Sequence, residues 1–129
     1  MVLVDTSIWI EYIDRGNPLV AREMDMLLRT RSVLTAGLVL AELRQGCKTS
    51  QQATAMMARL LSLPYLDEGR DDWLAAGQIV AESRARGYHL ETGDCLLAVL
   101  AMREQCPIFS LDQDFKRVPG LKLYPERVM

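Results

Sequence analysis

"VLVDTSIWIEY", residues 2–12, runs three apolar residues straight into Asp5, then through Thr6 and Ser7 into a second apolar-rich segment. Val2, Leu3 and Val4 are too uniformly apolar for the alternation of a half-exposed strand, so they read as a short buried strand of the parallel kind. A carboxylate directly after such a strand has two explanations. It can cap the helix that follows, or it can hold a metal ion at the end of the strand. The rest of the chain has to separate them.

Moving outward, strands and helices alternate. Ser7 to Asp14 reads as a helix ended near Gly16, and Pro18 to Arg29 as a second, with proline in its first turn. Ser32–Thr35 reads as a strand, and Leu38–Gln45 as a helix closed by Gly46. Ser50–Ser62 reads as another helix, with Ser50 as its cap. Pro64–Leu66 is a short strand. Asp71 to Arg86 is a long helix with Trp73, Ala76, Gly77, Val80 and Ala81 on one face, stopped by Gly87. Gly93 to Glu104 is a very apolar and therefore central helix. Pro107–Leu111 and Leu121–Tyr124 complete the strands. Without hairpin signals, this order predicts an α/β sandwich around a mostly parallel sheet, whose sites form at the carboxyl ends of strands.

The bulk properties narrow the classes. The 129 residues, half hydrophobic and a quarter charged, are expected to form a single folded domain spanning 1–129. No apolar run approaches the ~20 residues of a membrane span. The N-terminus lacks the basic region and cleavage site of a signal peptide, so a cytoplasmic protein without membrane contact is expected. Cys47, Cys95 and Cys106 are scattered and odd in number, which argues for buried small hydrophobes rather than a disulfide framework or zinc site. His89 is the only histidine, beside Gly87 and Tyr88, and reads as a loop residue rather than a base. A net charge of −2 excludes a generic basic nucleic-acid binder. Two stretches are nonetheless locally basic: "ESRARGYH" (82–89) and the tail "FKRVPGLKLYPER" (115–127).

Four carboxylates need explaining. Asp5 and Asp112 each follow a strand. Asp94 stands at the start of the apolar helix, in "TGDCLLAVLA". Glu42 lies in "LAEL", on a helix that is mostly apolar at this end. Singly, Asp5 and Asp94 can cap helices at ~1 kcal/mol apiece, Asp112 can form an Asx turn, and Glu42 can face water. Together, two strand ends, one helix start and one inward helix position, that of Glu42, place four acids around one edge of the sheet. Two carboxylates ~5 Å apart repel by about 3 kcal/mol at an effective dielectric of 20, a cost that a hard divalent cation removes. Oxygen-only ligation suits Mg²⁺ or Mn²⁺ rather than zinc.

The order "VDTS", "LAEL", "TGDCLLAVLA", "SLDQDF" resembles the PIN-domain ribonucleases, in particular the VapC toxins of toxin–antitoxin pairs, over essentially the whole chain. The resemblance implies a three-layer α/β/α sandwich with a short parallel sheet. It implies an acidic catalytic site at Asp5, Glu42, Asp94 and Asp112, with Asp5, Asp94 and Asp112 holding Mg²⁺, or Mn²⁺ in its place. Ser7 and Ser110 match hydroxyl positions that support such a site, and Asp114 matches a frequent extra acid. Ser110 stands where threonine is common and Cys95 where a small residue is usual; neither change touches a ligand. The implied activity is Mg²⁺-dependent cleavage of RNA, leaving a 5′-phosphate and a 3′-hydroxyl. The alternative is a catalytically silent PIN module that binds protein or RNA. A haloacid-type phosphatase also starts with Asp after a strand, but needs DxDx[TV], and Ser7 occupies the second Asp position.

An acidic protein that holds RNA needs local positive charge, and Arg84, Arg86, Lys116 and Arg117 are the candidates. Partner surfaces are expected as well. "SIWIEYID" leaves only Ser7, Glu11 and Asp14 polar, so its helix is apolar all round and needs cover on more than one side. On the next helix Val20, Met24, Leu27 and Leu28 form one face, while Leu19 and Met26 fall on the other. Neighbouring helices can supply that cover; so can a second copy of the chain or an amphipathic partner helix. On the partner reading, Trp9, Tyr12, Met24 and Met26 are the candidate contacts, methionine suiting an adaptable surface. The resemblance implies a homodimer and a cognate antitoxin.

Overall fold

The computed structural model describes residues 1–125. Its elements follow in the order β1 (Val2–Val4), α1 (Thr6–Asp14), α2 (Pro18–Arg29), β2 (Val33–Ala36), α3 (Gly37–Gly46), α4 (Ser50–Leu60), β3 (Tyr65–Leu66), α5 (Arg70–Ala85), α6 (Thr92–Arg103) and β4 (Ile108–Phe109). A 3₁₀ turn, Gln113–Arg117, follows β4. The four strands make one sheet in the order β3-β2-β1-β4, and all pairs are parallel. Leu3 at the centre pairs with Leu34 on one side and Ile108 on the other.

This order explains the layers. The chain steps from β1 to β2 to β3 in one direction, then returns past β1 to place β4. Right-handed crossovers put the helices of outward steps on one face and those of the return on the other. Accordingly α1 packs on α2 and α3, and α3 on α4, while α5 and α6 pack on each other and α6 lies on β1 and β4. The fold is the expected α/β/α sandwich. Its direction reverses between β1 and β4, the crevice where such sheets bind ligands.

The core is apolar and dense. Leu3, Val4, Ile8, Val39, Leu97, Leu100 and Ile108 are fully buried, and α6 buries six of its twelve residues, as its sequence anticipates. Cys95 and Cys106 are buried and Cys47 half-buried, all as free thiols. Among the described residues no helix is long and apolar enough to cross a membrane.

Four local expectations need correction. Thr49, not Ser50, caps α4: its hydroxyl accepts from the Gln52 N–H at 3.1 Å. In α5 the inward positions are Ala76 and Ser83, while Trp73 (48% exposed), Gly77 and Ala81 face outward. The small Ala76 and Ser83 let α5 approach α6 closely, and a tryptophan at that contact would hold the helices apart. The expected strand Leu121–Tyr124 reduces to one bridge between Leu123 and Ile108. Glu42 is exposed on α3 rather than turned into the fold.

Candidate active site

Asp5 stands at the N-cap position of α1, yet its side chain caps nothing. Its Oδ2 instead accepts two hydroxyl protons, from Ser7 Oγ at 2.9 Å and from Ser110 Oγ at 2.7 Å. Each serine is held from behind by a backbone donor: Leu111 N–H to Ser7 Oγ at 3.0 Å, and Asp112 N–H to Ser110 Oγ at 3.0 Å. A hydroxyl has one proton. With both protons directed at Asp5, the 3.2 Å approach of the two serine oxygens is a contact rather than a third bond. The lattice ties the end of β1 to the end of β4 across the crevice. Asp5 is only 6% exposed, and among the described residues no donor reaches its Oδ1. The opening question therefore resolves against the cap. The carboxylate is oriented by hydroxyls, with one oxygen left over.

The other three acids arrive from separate elements. Asp94 is the third residue of α6, where the helix dipole favours an anion. Its carboxyl is nonetheless pushed up to about 7, first by burial and then by the charges of Asp5, Asp112, Glu42 and Glu91. Asp112 begins the 3₁₀ turn, and its Oδ1 accepts from the Asp114 N–H at 2.9 Å, so the Asx turn and the site position coexist. Glu42 Oε1 accepts from Thr6 Oγ1 at 3.0 Å. Thr6 is buried, and sequence reasoning passed over it because its partner lies 36 residues away. Gly93 helps bring the elements together: a Cβ there would fall 2.8 Å from Leu38 Cδ2, so the start of α6 sits close on α3.

None of the ion pairs among the described residues involves Asp5, Glu42, Asp94 or Asp112. The charges of Asp5, Asp112 and Glu42 all act on Asp94, and among the described residues no basic side chain is paired with any of the four. No three of the described acidic, histidine or cysteine side chains are already drawn in to a common ion position. The donor chemistry still fits a hard cation, being carboxylate and hydroxyl oxygen alone, with Asp5 already oriented by two serines.

A family model described as the PIN domain matches residues 2–121. The chain belongs to the PIN-domain family. Ribonuclease VapC11 of Mycobacterium tuberculosis and a VapC ribonuclease of Mycobacterium bovis are each 32% identical to it over 119 residues, 89% of either chain. Among solved structures, VapBC2 of Rickettsia felis bound to a promoter DNA fragment superposes with a TM-score of 0.78 at 24% identity, over 95% of this chain and 97% of that one. DNA-bound VapBC of Salmonella typhimurium superposes with a TM-score of 0.79 at 20% identity, over 95% of each.

In this PIN domain the two basic stretches meet. Arg84, Arg86, Lys116 and Arg117 are all exposed. The Arg117 guanidinium lies 4.2 Å over the centre of the Tyr88 ring, joining the 3₁₀ turn to the turn after α5. Arg117 also stands 4.0 Å from Asp114, which places that acid on the basic side of the site. Arg127, the last cation of the basic tail, lies outside the described residues.

The candidate partner residues divide. Trp9, Tyr12 and Met24 are buried, so they are core residues, and only Met26, at 40% exposed, is on the surface. The outward apolar side chains of this region are Ile10, Ile13 and Leu19. A helix apolar all round carries no phase in its sequence, so the inward half was not readable. Trp9 and Tyr12 still line a groove of about 660 Å³ between α1, α3 and α4, together with Ile10, Ile13, Leu43 and Met56. Glu42 lies in the same lining, so the groove runs to the acids.

Proposed function

We propose that this PIN domain is a Mg²⁺-dependent endoribonuclease and the toxin of a toxin–antitoxin pair. The observation that carries the reading is Asp94, half-buried among three further carboxylates at the switch point of a parallel sheet, with no cationic side chain among the described residues paired to any of them. Such a cluster opposes folding unless its charge is used. Relatives named as ribonucleases supply the substrate class.

Asp5, Asp94 and Asp112 would hold the ion, with Mn²⁺ able to replace Mg²⁺. When bound, such an ion offsets negative charge on a phosphodiester and acidifies coordinated water. Ser7 and Ser110 keep Asp5 in one rotamer. Glu42, fixed by Thr6, orients the attacking water and accepts its proton. Water oxygen bonds to phosphorus in line, the bond from phosphorus to the 3′-oxygen breaks, and that oxygen leaves as a hydroxyl after taking a proton from solvent. The products are a 5′-phosphate and a 3′-hydroxyl. Asp114 supports the site by supplying the backbone N–H that orients Asp112.

The partner reading is a cognate antitoxin laid against the groove between α1, α3 and α4, and a homodimer of the toxin. Structures of similar fold that are VapBC complexes support the antitoxin part of this reading.

The test is cleavage of a mixed RNA pool with Mg²⁺, followed by sequencing of the 5′ ends. Wild type should cut, and EDTA should stop it. Asp5→Asn, Asp94→Asn and Asp112→Asn should stay folded and lose cleavage. Undiminished cutting in EDTA or by Asp5→Asn would overturn the proposal. A chain that binds RNA but never cuts it would leave the silent module.

A further inference from the structure

Tyr88 has no part in the acid site, yet its position is unusually constrained. Helix α5 ends at Ala85 with Arg86 as its C-cap, and Gly87 adopts φ +89°, a left-handed conformation that favours glycine. Gly87 N–H then bonds to Arg84 O at 3.0 Å, and Tyr88 N–H to Ser83 O at 2.9 Å. Those two bonds are the Schellman arrangement, which fixes the residue after the glycine. In most such caps that residue packs back on the last helical turn. Tyr88 does not need to: one ring face receives the Arg117 guanidinium, and the side chain remains 37% exposed.

The surroundings suit a polyanion with flat bases. Arg117 lies on the ring, and Arg84, Arg86 and Lys116 are exposed within four residues of Tyr88 or next to Arg117 in the sequence of an otherwise acidic protein. The platform is tied to both acid-bearing elements. Arg117 ends the 3₁₀ turn that Asp112 begins, about 10 Å away at a rise of ~2 Å per residue. Tyr88 lies four residues before α6, whose third residue is Asp94.

We infer that Tyr88 is a stacking platform for an unpaired nucleobase of the RNA, and that Arg117, held on the ring's other face, contacts the adjoining phosphate. The inference rests on the ribonuclease reading and adds that the substrate is single-stranded at this point. A base within a duplex has both faces covered by its neighbours, so only an unpaired or splayed base can take the ring. A pre-positioned aromatic has little left to lose in side-chain freedom, which favours its use in binding.

The experiment is binding in EDTA, where cleavage does not interfere. The probes are a fluorescein-labelled mixed-sequence single-stranded RNA of about 12 nucleotides and the same strand annealed to its complement. Tyr88→Ala should weaken single-strand binding about tenfold, Tyr88→Phe should keep it, and Tyr88→Leu should lose it despite similar bulk. Duplex binding should be weaker and insensitive to Tyr88→Ala. A 2-aminopurine strand should be quenched by wild type and by Tyr88→Phe, and not by Tyr88→Ala. Arg117→Gln should lower the slope of log affinity against log salt by about 0.7. If Tyr88→Ala lowers only the melting temperature and binds RNA as wild type does, the Tyr88–Arg117 pair is a strut and the inference fails while the ribonuclease reading stands. If wild type neither binds RNA in EDTA nor cuts it in Mg²⁺, both fail.

Discussion

At the scale of single residues, Asp94 ties the chemistry to stability. An Asp carboxyl ordinarily titrates near 3.8, and in the folded chain it is pushed up to about 7. The unfolded chain therefore gives up this proton at lower pH than the folded one. Ionisation favours unfolding, and the stability associated with protonated Asp94 is lost as pH rises from about 4 to about 7, with no further loss above that. The shift alone sets a ceiling of about 4 kcal/mol, and solvent screening of a half-buried group brings the effect below it. Without divalent ions, thermal melts should show a melting temperature that climbs from pH 7.5 down to pH 5. Asp94→Asn should flatten that climb. Adding Mg²⁺ at pH 7.5 should raise the melting temperature of wild type more than that of Asp94→Asn; equal gains would remove Asp94 from the ion's ligands. Ser7 offers a second test at this scale. It donates to Asp5 and accepts from Leu111 N–H, so Ser7→Ala leaves a buried carboxylate and a backbone donor short of partners. A loss of about 1–3 kcal/mol in denaturant melts and a drop of about tenfold or more in cleavage are expected. Asp5 was open to reading because an apolar run that ends in a carboxylate is visible locally. Thr6 was not, because its role is set by Glu42 on another element.

At the scale of elements, what was legible follows from periodicity. Helix α2 has Val20, Met24 and Leu27 buried at i, i+4 and i+7, with proline at its start and Asn17 accepting from the N–H groups of Leu19 and Val20. Its bounds and its face both agree with the sequence reading. Helix α1 has no polar stripe, so its existence was legible and its orientation was not. Helix α5 misled in the opposite way. Trp73 weighs heavily in any apolar pattern, whereas the contact with α6 is made by small residues that weigh little. The cap of α4 gives a direct check on the boundaries. Thr49 makes the capping bond, and Ser50 makes none through its hydroxyl. Thr49→Ala should therefore cost about 1 kcal/mol in chemical denaturation, and Ser50→Ala close to nothing. The reverse order would put the helix start one residue later.

At the scale of the whole molecule, the sheet order makes the site. β1 and β4 are 103 residues apart at the serines that join them, Ser7 and Ser110, and they become neighbours only because the chain reverses direction at the centre of the sheet. Alternating strands and helices announced a parallel sheet, but strand order is a property of packing that local sequence does not carry. The same packing decides which apolar residues are left outside. Trp9, Tyr12 and Met24 were absorbed into the core, leaving Ile10 (48% exposed) and Ile13 (44%) beside the groove that ends at Glu42. Full burial of such a side chain gains roughly 1.5–3 kcal/mol, so two of them along one groove favour an apolar partner segment. On the proposed toxin reading, a small partner encoded beside this chain should therefore copurify with it and protect RNA from it. Ile13→Lys sets a charge where the partner's apolar side chain would lie. It should release that partner in size-exclusion chromatography, restore RNA cleavage in its presence, and leave the unfolding free energy of the chain unchanged within about 0.5 kcal/mol, because Ile13 already faces water. The proposed homodimer should survive Ile13→Lys if its interface uses other outward apolar residues such as Trp73 and Leu74. Loss of both partner and dimer in the same variant would mean that the two contacts share the α1 face. Unaltered retention of the partner by Ile13→Lys would move the antitoxin site away from the groove.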